Sequence, residues 1–173
     1  MRFGTFGPFA TGNRWNDDWH RSFWQDVESE SLGLRGAIGC YMLCLKHGEK
    51  RLPCYVGKTL NQEGFYGEAF TDHKICIYEK LYSSINQSNK KSEQVILFPL
   101  LTDTGNFSQN RSSSSSTIDW LETTLIGMAL SKNPDLANSQ KTSLFRNVVV
   151  PGILNSPVGR PSASAQFASS VFF

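Results

Sequence analysis

The sequence lacks both a long apolar run and an excess of charge of either sign. A helix that crosses a bilayer needs roughly 18–20 consecutive apolar residues. The 173 residues contain no apolar run of that length, which excludes an integral membrane protein. Lys and Arg total 17 and Asp and Glu total 15, so the net charge of +2 does not by itself indicate a nucleic-acid-binding protein. Residues 1–15 contain no apolar core of a secretory signal, so we expect an intracellular, cytoplasmic protein.

Cysteine is sparse, and its spacing excludes the common metal and redox motifs. The four cysteines are Cys40, Cys44, Cys54 and Cys76, and no two of them have the C-x2-C spacing of a zinc knuckle or a redox pair. Each cysteine lies among apolar neighbours, so we expect free, buried thiols in a reducing compartment. A cysteine hydrolase that would use Cys54 or Cys76 with His73 has no local signature in the sequence.

The composition is that of a folded chain with one main domain. Hydrophobic residues make up 39% and charged residues 18%, which a disordered chain would not show. We predict an aromatic N-terminal extension over residues 1–35, a main domain over 36–150 and a C-terminal tail over 151–173. Residues 102–117 include five consecutive serines and are predicted to form a flexible loop inside the main domain.

Local patterns predict both strands and helices. Strands are predicted at Gly39–Leu45, Cys54–Gly57 and Gln94–Leu101, and helices at about Asn16–Glu28, 68–87 and Ile118–Ser131. The first two strands form a hairpin with a turn at His47-Gly48. If that turn centres on Gly48, Tyr41 opposes Tyr55 and both side chains face the same side of the sheet.

Glu122 stands out on the last of these helices. Its helical neighbours include Ile118, Leu125 and Ile126, so the carboxylate belongs to a largely apolar stripe. A buried carboxylate is costly unless a Lys, an Arg or a bound cation compensates its charge. Glu122 is therefore a candidate functional residue, and the alternative is a side chain that reaches solvent at the edge of the stripe.

A set of motifs follows in a fixed order over residues 36–140. Gly39-Cys40-Tyr41 is followed after 13 residues by Tyr55-Val56-Gly57-Lys58. A helix with a basic residue, a strand, a helix bearing Glu122 and the segment Asn133–Asn138 come next. This ordered set resembles the GIY-YIG nuclease superfamily. The resemblance implies an α/β (α+β) fold, a small sandwich whose central three-stranded antiparallel sheet is flanked by helices.

The resemblance also implies a function and roles for individual residues. Members of the family are endonucleases that hydrolyse DNA phosphodiester bonds with one divalent metal, Mg²⁺ or Mn²⁺, per site. By resemblance Glu122 is the metal ligand, and one of Tyr41 and Tyr55 activates or orients the attacking water. Lys58 lowers the pKa of a neighbouring phenol or binds a phosphate. Asn138 corresponds to the family's motif asparagine and would bind substrate, unless it only caps a turn.

The chain departs from the family on the first helix, where the family has an Arg followed four residues later by His or Tyr. If His73 is the second residue, Ala69 replaces the Arg; if Tyr78 is the second, Lys74 replaces it. We prefer Lys74 with Tyr78, because this pairing keeps a positive charge for the phosphoryl transition state. His73 is otherwise a surface residue of that helix.

Lys74 is not equivalent to the missing arginine, because it lacks the planar fork that contacts a phosphate with two hydrogen bonds. This departure sustains an alternative hypothesis, a catalytically weak or inactive relative that binds nucleic acid or a protein partner. For the nuclease DNA is the expected partner. A homodimer, formed through the aromatic extension or the apolar C-terminal end, is a further candidate.

Overall fold

The structure is a computed structural model that describes residues 1–11, 16–47, 49–85, 91–151, 153, 155 and 158–172. The chain divides into two compact units, Met1–Ala137 and Asn138–Phe173. The first unit holds the sheet and three longer helices, and the second holds two short helices. The predicted mixed α+β class is confirmed. No helix in the described part of the chain is long and apolar enough to span a bilayer.

An antiparallel sheet forms the centre of the first unit. Its strands are β1 (Arg2–Phe3), β2 (Phe6–Ala10), β3 (Gly39–His47), β4 (Lys50–Thr59) and β5 (Lys91–Leu101). The strand order is β1-β5-β3-β4. Strand β2 also pairs with β5, and the sheet is curled. The predicted hairpin and third strand are thus present, and the N-terminal residues add two strands that the sequence patterns did not reveal.

A β-bulge changes the predicted register of the hairpin. Tyr41 pairs with Gly57, and Leu43 pairs with Tyr55, so the predicted pairing of Tyr41 with Tyr55 is wrong. Next to the turn His47 already pairs with Lys50, one residue away from the pairing of a turn centred on Gly48. The bulge after Leu43, where Cys54 has no ladder partner next to Pro53, adds the second residue. A proline lacks the N–H that a regular ladder needs and is therefore common at bulges and on edge strands. Because the error amounts to two residues, Tyr41 and Tyr55 still face the same side of the sheet.

The helices of the first unit are α1 (Asp17–Glu30), α2 (Asp72–Ile85) and α3 (Arg111–Lys132). The predicted cap of α1 is confirmed, since the Asn16 side chain accepts a hydrogen bond from the Trp19 N–H. In the second unit, α4 (Ser143–Asn147) and α5 (Ala163–Phe172) are short.

Helix α3 begins seven residues earlier than predicted, so residues 111–117 are helical and not loop. Asn110 caps the helix by accepting from the Ser113 N–H. The Arg111 guanidinium donates to the carbonyl oxygens of Asn61 and Gln62, and Ser114 is buried. These tertiary contacts outweigh the weak helix propensity of a serine run. Sequence patterns alone predict a loop for such a run.

Alternating residues of the strands form two separate cores, one on each face of the sheet. The larger core contains Tyr41, Tyr55 and Leu97 and packs against α1 and α2 through aromatic side chains. The smaller core contains Cys40 and Leu100 and packs against Ile118 of α3 and its neighbours. Both faces of β3 and β4 are therefore covered, each by different helices. Cys40, Cys44 and Cys54 are buried as predicted, whereas Cys76 is exposed on α2.

Candidate active site

Strand β4 carries two of the predicted site residues, Tyr55 and Lys58. They are three positions apart, about 10 Å along a strand. An odd separation points their side chains to opposite faces of the sheet, so Tyr55 faces α2 and Lys58 faces α3. The predicted site residues accordingly form two clusters. We call them the tyrosine cluster (Tyr41, Tyr55, Tyr78, Lys74 and Glu68) and the lysine–carboxylate cluster (Lys58, Asp119 and Glu122).

Lys74 is the charged centre of the tyrosine cluster. Its Nζ donates a hydrogen bond of 2.6 Å to the Tyr55 hydroxyl oxygen and lies 3.8 Å from a carboxylate oxygen of Glu68. The ring centroids of Tyr41 and Tyr78 lie 6.2 and 6.4 Å from that of Tyr55. The cluster therefore directs an ammonium group at one phenol oxygen.

The other two tyrosines of the cluster are fully buried. Burial raises the pKa of Tyr41 well above its usual value, and the neighbouring Tyr78 and Tyr55 add to the effect. Burial raises the pKa of Tyr78 in the same way. The Tyr78 hydroxyl donates to the Ala69 carbonyl, whereas the Tyr41 hydroxyl has no hydrogen-bond partner within the described residues. Both phenols are poor proton acceptors near neutral pH, so Tyr55 is the tyrosine best placed for chemistry.

Gly57 provides the space in which the Tyr41 ring lies. A Cβ atom at position 57 would collide with Cζ and Oη of Tyr41, because the ring crosses the backbone of β4 there. The glycine that follows two residues after Tyr55 is thus explained by close packing of an aromatic ring on the strand.

We expect Gly57→Ala to destabilise the fold by roughly 1–3 kcal/mol, because the tightly packed Tyr41 ring would have to move. Chemical denaturation of the full chain measures the loss. Gly36→Ala is the matched control, since an added Cβ there meets no atom within 4 Å. Equal stabilities of the two variants would contradict the close packing of Tyr41 on Gly57.

In the lysine–carboxylate cluster, two acidic side chains of α3 face one ammonium group. Lys58 Nζ donates to Asp119 Oδ1 and lies 3.6 Å from Glu122 Oε2. The Glu122 side chain is 13% exposed and that of Asp119 is 44% exposed. Lys58 thus compensates the charge that made Glu122 conspicuous on its apolar stripe. Asp119 is a site residue that the sequence interpretation missed, although its spacing of three from Glu122 places both on one helix face.

The lysine–carboxylate cluster fits a hard divalent cation. Its acidic oxygens already converge on a single positive charge, and Mg²⁺ commonly binds proteins through one or two carboxylates and completes its shell with water. Glu122 and Asp119 are the residues that would hold such an ion, and Lys58 would then be released from them. The predicted ligand set, Glu122 alone, is thereby extended by Asp119.

Asn133 connects α3 to the bulge of β4. Its side-chain amide donates to the Pro53 carbonyl at 2.7 Å, and the backbone N–H of Ala137 donates to the Cys54 carbonyl at 2.9 Å. The carbonyl groups around the bulge are thereby satisfied by the segment that follows α3. The first part of the motif Asn133–Asn138 thus has a structural role, in fixing the end of the helix that carries Glu122.

Two predicted residues lie outside both clusters as they are defined by contacts. His73 is exposed on α2, next to Lys74 in sequence. Asn138 is buried at the start of the second unit, and its predicted role in substrate binding stays a prediction.

Comparisons of the chain with models of protein families, with curated proteins and with solved structures find no match. The likeness to the GIY-YIG superfamily therefore depends on the motif residues themselves.

Proposed function

We propose that the protein is a metal-dependent endonuclease of the GIY-YIG type that hydrolyses DNA phosphodiester bonds. The observation that carries the proposal is the convergence of two α3 carboxylates on one cation beside β4. The same strand presents Tyr55, whose hydroxyl oxygen is bound by an ammonium group. Carboxylates that can hold a divalent metal, with a lysine beside them that can contact a phosphate oxygen, suit metal-assisted phosphodiester hydrolysis.

The side chains of the lysine–carboxylate cluster have defined tasks in this proposal. Glu122 and Asp119 would hold Mg²⁺ or Mn²⁺, which supplies a Lewis acid for the phosphate and a bound water of lowered pKa. Lys58, once released from the carboxylates, is positioned to contact a phosphate oxygen as a point charge. Lys74 and Tyr55 lie on the opposite face of β4 from these carboxylates, so the roles that the resemblance gives them, stabilising negative charge and orienting the attacking water, are not available at this metal.

A second candidate function is favoured by the state of Tyr41 and Lys58. The Tyr41 phenol is buried with a raised pKa, and Lys58 occupies the position between the carboxylates. Both features are compatible with a relative that binds nucleic acid without cutting it. Such a protein would show salt-sensitive affinity for DNA and no turnover.

A plasmid-nicking experiment distinguishes the two functions. We expect the purified full chain to convert supercoiled plasmid into nicked circles with Mg²⁺ or Mn²⁺ and to lose this activity with EDTA. Activity that persists in EDTA would contradict a metal-dependent site. Folded protein that cuts neither plasmid, single-stranded DNA nor RNA, yet binds them in a salt-dependent manner, would establish the binding function instead.

A further inference from the structure

A cleft of about 390 Å³ lies in the first unit, between α1 and the turns around Arg35 and Tyr66. This volume is within the range of small-ligand clefts. The lining residues share no member with the two clusters of the candidate active site; they are Asp17, His20, Arg21, Trp24, Gln25, Glu28, Arg35 and Tyr66. Phe65, the residue before Tyr66, is buried with its ring centroid 6.4 Å from that of Tyr41.

Arg35 supplies a cation to this cleft. Its guanidinium carbon lies 5.4 Å from the ring centroid of Tyr66, and no carboxylate within the described residues pairs with it. The nearby Glu28 carboxylate instead accepts from the backbone N–H groups of Gly33 and Arg35, at 3.0 and 2.9 Å. Glu28 therefore fixes the loop and leaves the exposed guanidinium with its five donors for an anion.

Aromatic rings form the wall beside that cation. Tyr66 is 39% exposed, and its ring centroid lies 5.1 Å from His20 and 5.6 Å from Trp24. The Trp24 indole N–H donates to Nε2 of His20, and burial lowers the pKa of His20, so this imidazole is an uncharged part of the wall. The Tyr66 N–H donates to the Arg35 carbonyl, which holds ring and guanidinium side by side.

We propose that this cleft binds one nucleotide of a nucleic-acid strand, with its phosphate on Arg35 and its base against Tyr66. An anion-binding fork next to a partly exposed ring matches the two halves of a nucleotide, and stacking of this kind accepts any base. The inference rests on the proposed function and deepens it. The cleft would hold a further segment of the bound strand, away from the carboxylates of α3, without reading its sequence.

Fluorescence anisotropy with a short labelled single strand of mixed sequence, without divalent metal, tests the proposal. We expect Arg35→Gln to weaken binding and to reduce the slope of log affinity against log salt by about 0.7, the value of one phosphate contact on a single strand. Tyr66→Leu should weaken binding roughly tenfold, because it removes the stacking surface and the ring over which the Arg35 guanidinium lies. Arg51→Gln, at the hairpin turn, is the charge-matched control.

Free deoxynucleoside monophosphates as competitors separate two sources of the same chemistry. Competition at micromolar levels that Arg35→Gln abolishes would assign the cleft to free nucleotides and overturn the strand assignment. Wild-type affinity and salt slope in folded Arg35→Gln and Tyr66→Leu would overturn the proposal entirely. Cleavage is a separate readout: strand binding that depends on Arg35, in a protein that never cuts, refutes the nuclease function and leaves the cleft assignment intact.

Discussion

Glu122→Gln should abolish metal-dependent nicking, with a loss of roughly 100-fold or more in the initial rate. The substitution keeps the size of the side chain and removes the better buried of the two carboxylates that would hold the cation. Asp119→Asn should have a smaller effect, because the Asp119 side chain is 44% exposed and more easily replaced by water. Initial rates over a Mg²⁺ titration measure both effects, since loss of a ligand raises the metal concentration needed for half-maximal rate.

The stability of the Glu122 variant separates a catalytic effect from a folding defect. The ion pair between Glu122 and Lys58 is partly exposed, so we expect its loss to change the free energy of unfolding by about 1 kcal/mol or less. Glu63→Gln provides a neutralised, exposed carboxylate outside both clusters. A Glu122→Gln protein that nicks plasmid at the wild-type rate, with the same metal requirement, would remove Glu122 from the site.

Short-range signals made much of the fold predictable. The hairpin, the third strand and the Asn16 cap each depend on a few adjacent residues, and all three are present. The register and the start of α3 depend on distant contacts. The bulge at Cys54 is tied to the residues after α3, and the first turn of α3 is held by carbonyl groups some 50 positions away in sequence. Patterns of neighbouring residues in the sequence do not predict such contacts.

The sequence names residues of the candidate site, but it does not reveal that they lie on two different faces of the sheet. The motifs named Tyr41, Tyr55, Lys58, Lys74 and Glu122 as one group. Within the described residues all but Tyr41 make a charged or hydrogen-bonded contact with another residue of the two clusters. The strand period of two nevertheless sends Tyr55 and Lys58 to different faces. Asp119 gives no signal in the sequence, because a carboxylate at the edge of a helix face is common. Only its contact with Lys58 gives it significance.

Glu93 is a buried carboxyl group that the proposed function does not use, and it should make stability depend on pH. It lies on β5 with 4% exposure; the Thr11 hydroxyl donates to its Oε2, and its Oε1 has no partner within the described residues. Burial raises its pKa from 4.5 to about 7. The nearby Cys54 and Tyr78 have pKa values of about 12 and well above 10, so both stay neutral over that range.

The sign of the effect follows from proton binding. Between about pH 4.5 and about pH 7 the folded protein keeps the Glu93 proton while the unfolded chain releases it, so stability falls as the pH rises. The full loss, roughly 3 kcal/mol, is reached above pH 7. Glu93→Gln cannot ionise. Urea unfolding of both proteins should therefore give a difference in free energy that favours the variant increasingly with pH.

Thr11→Val provides the decisive comparison for this carboxyl group. The Thr11 hydroxyl favours the ionised form and lowers the pKa of Glu93, against the larger effect of burial. Removing this donor should therefore extend the loss of stability to higher pH and make it larger, whereas Glu93→Gln should remove it altogether. Parallel pH profiles for wild type and Glu93→Gln would show that Glu93 ionises as easily in the folded protein as in the unfolded chain. The carboxyl group would then have access to water that its burial on β5 denies it.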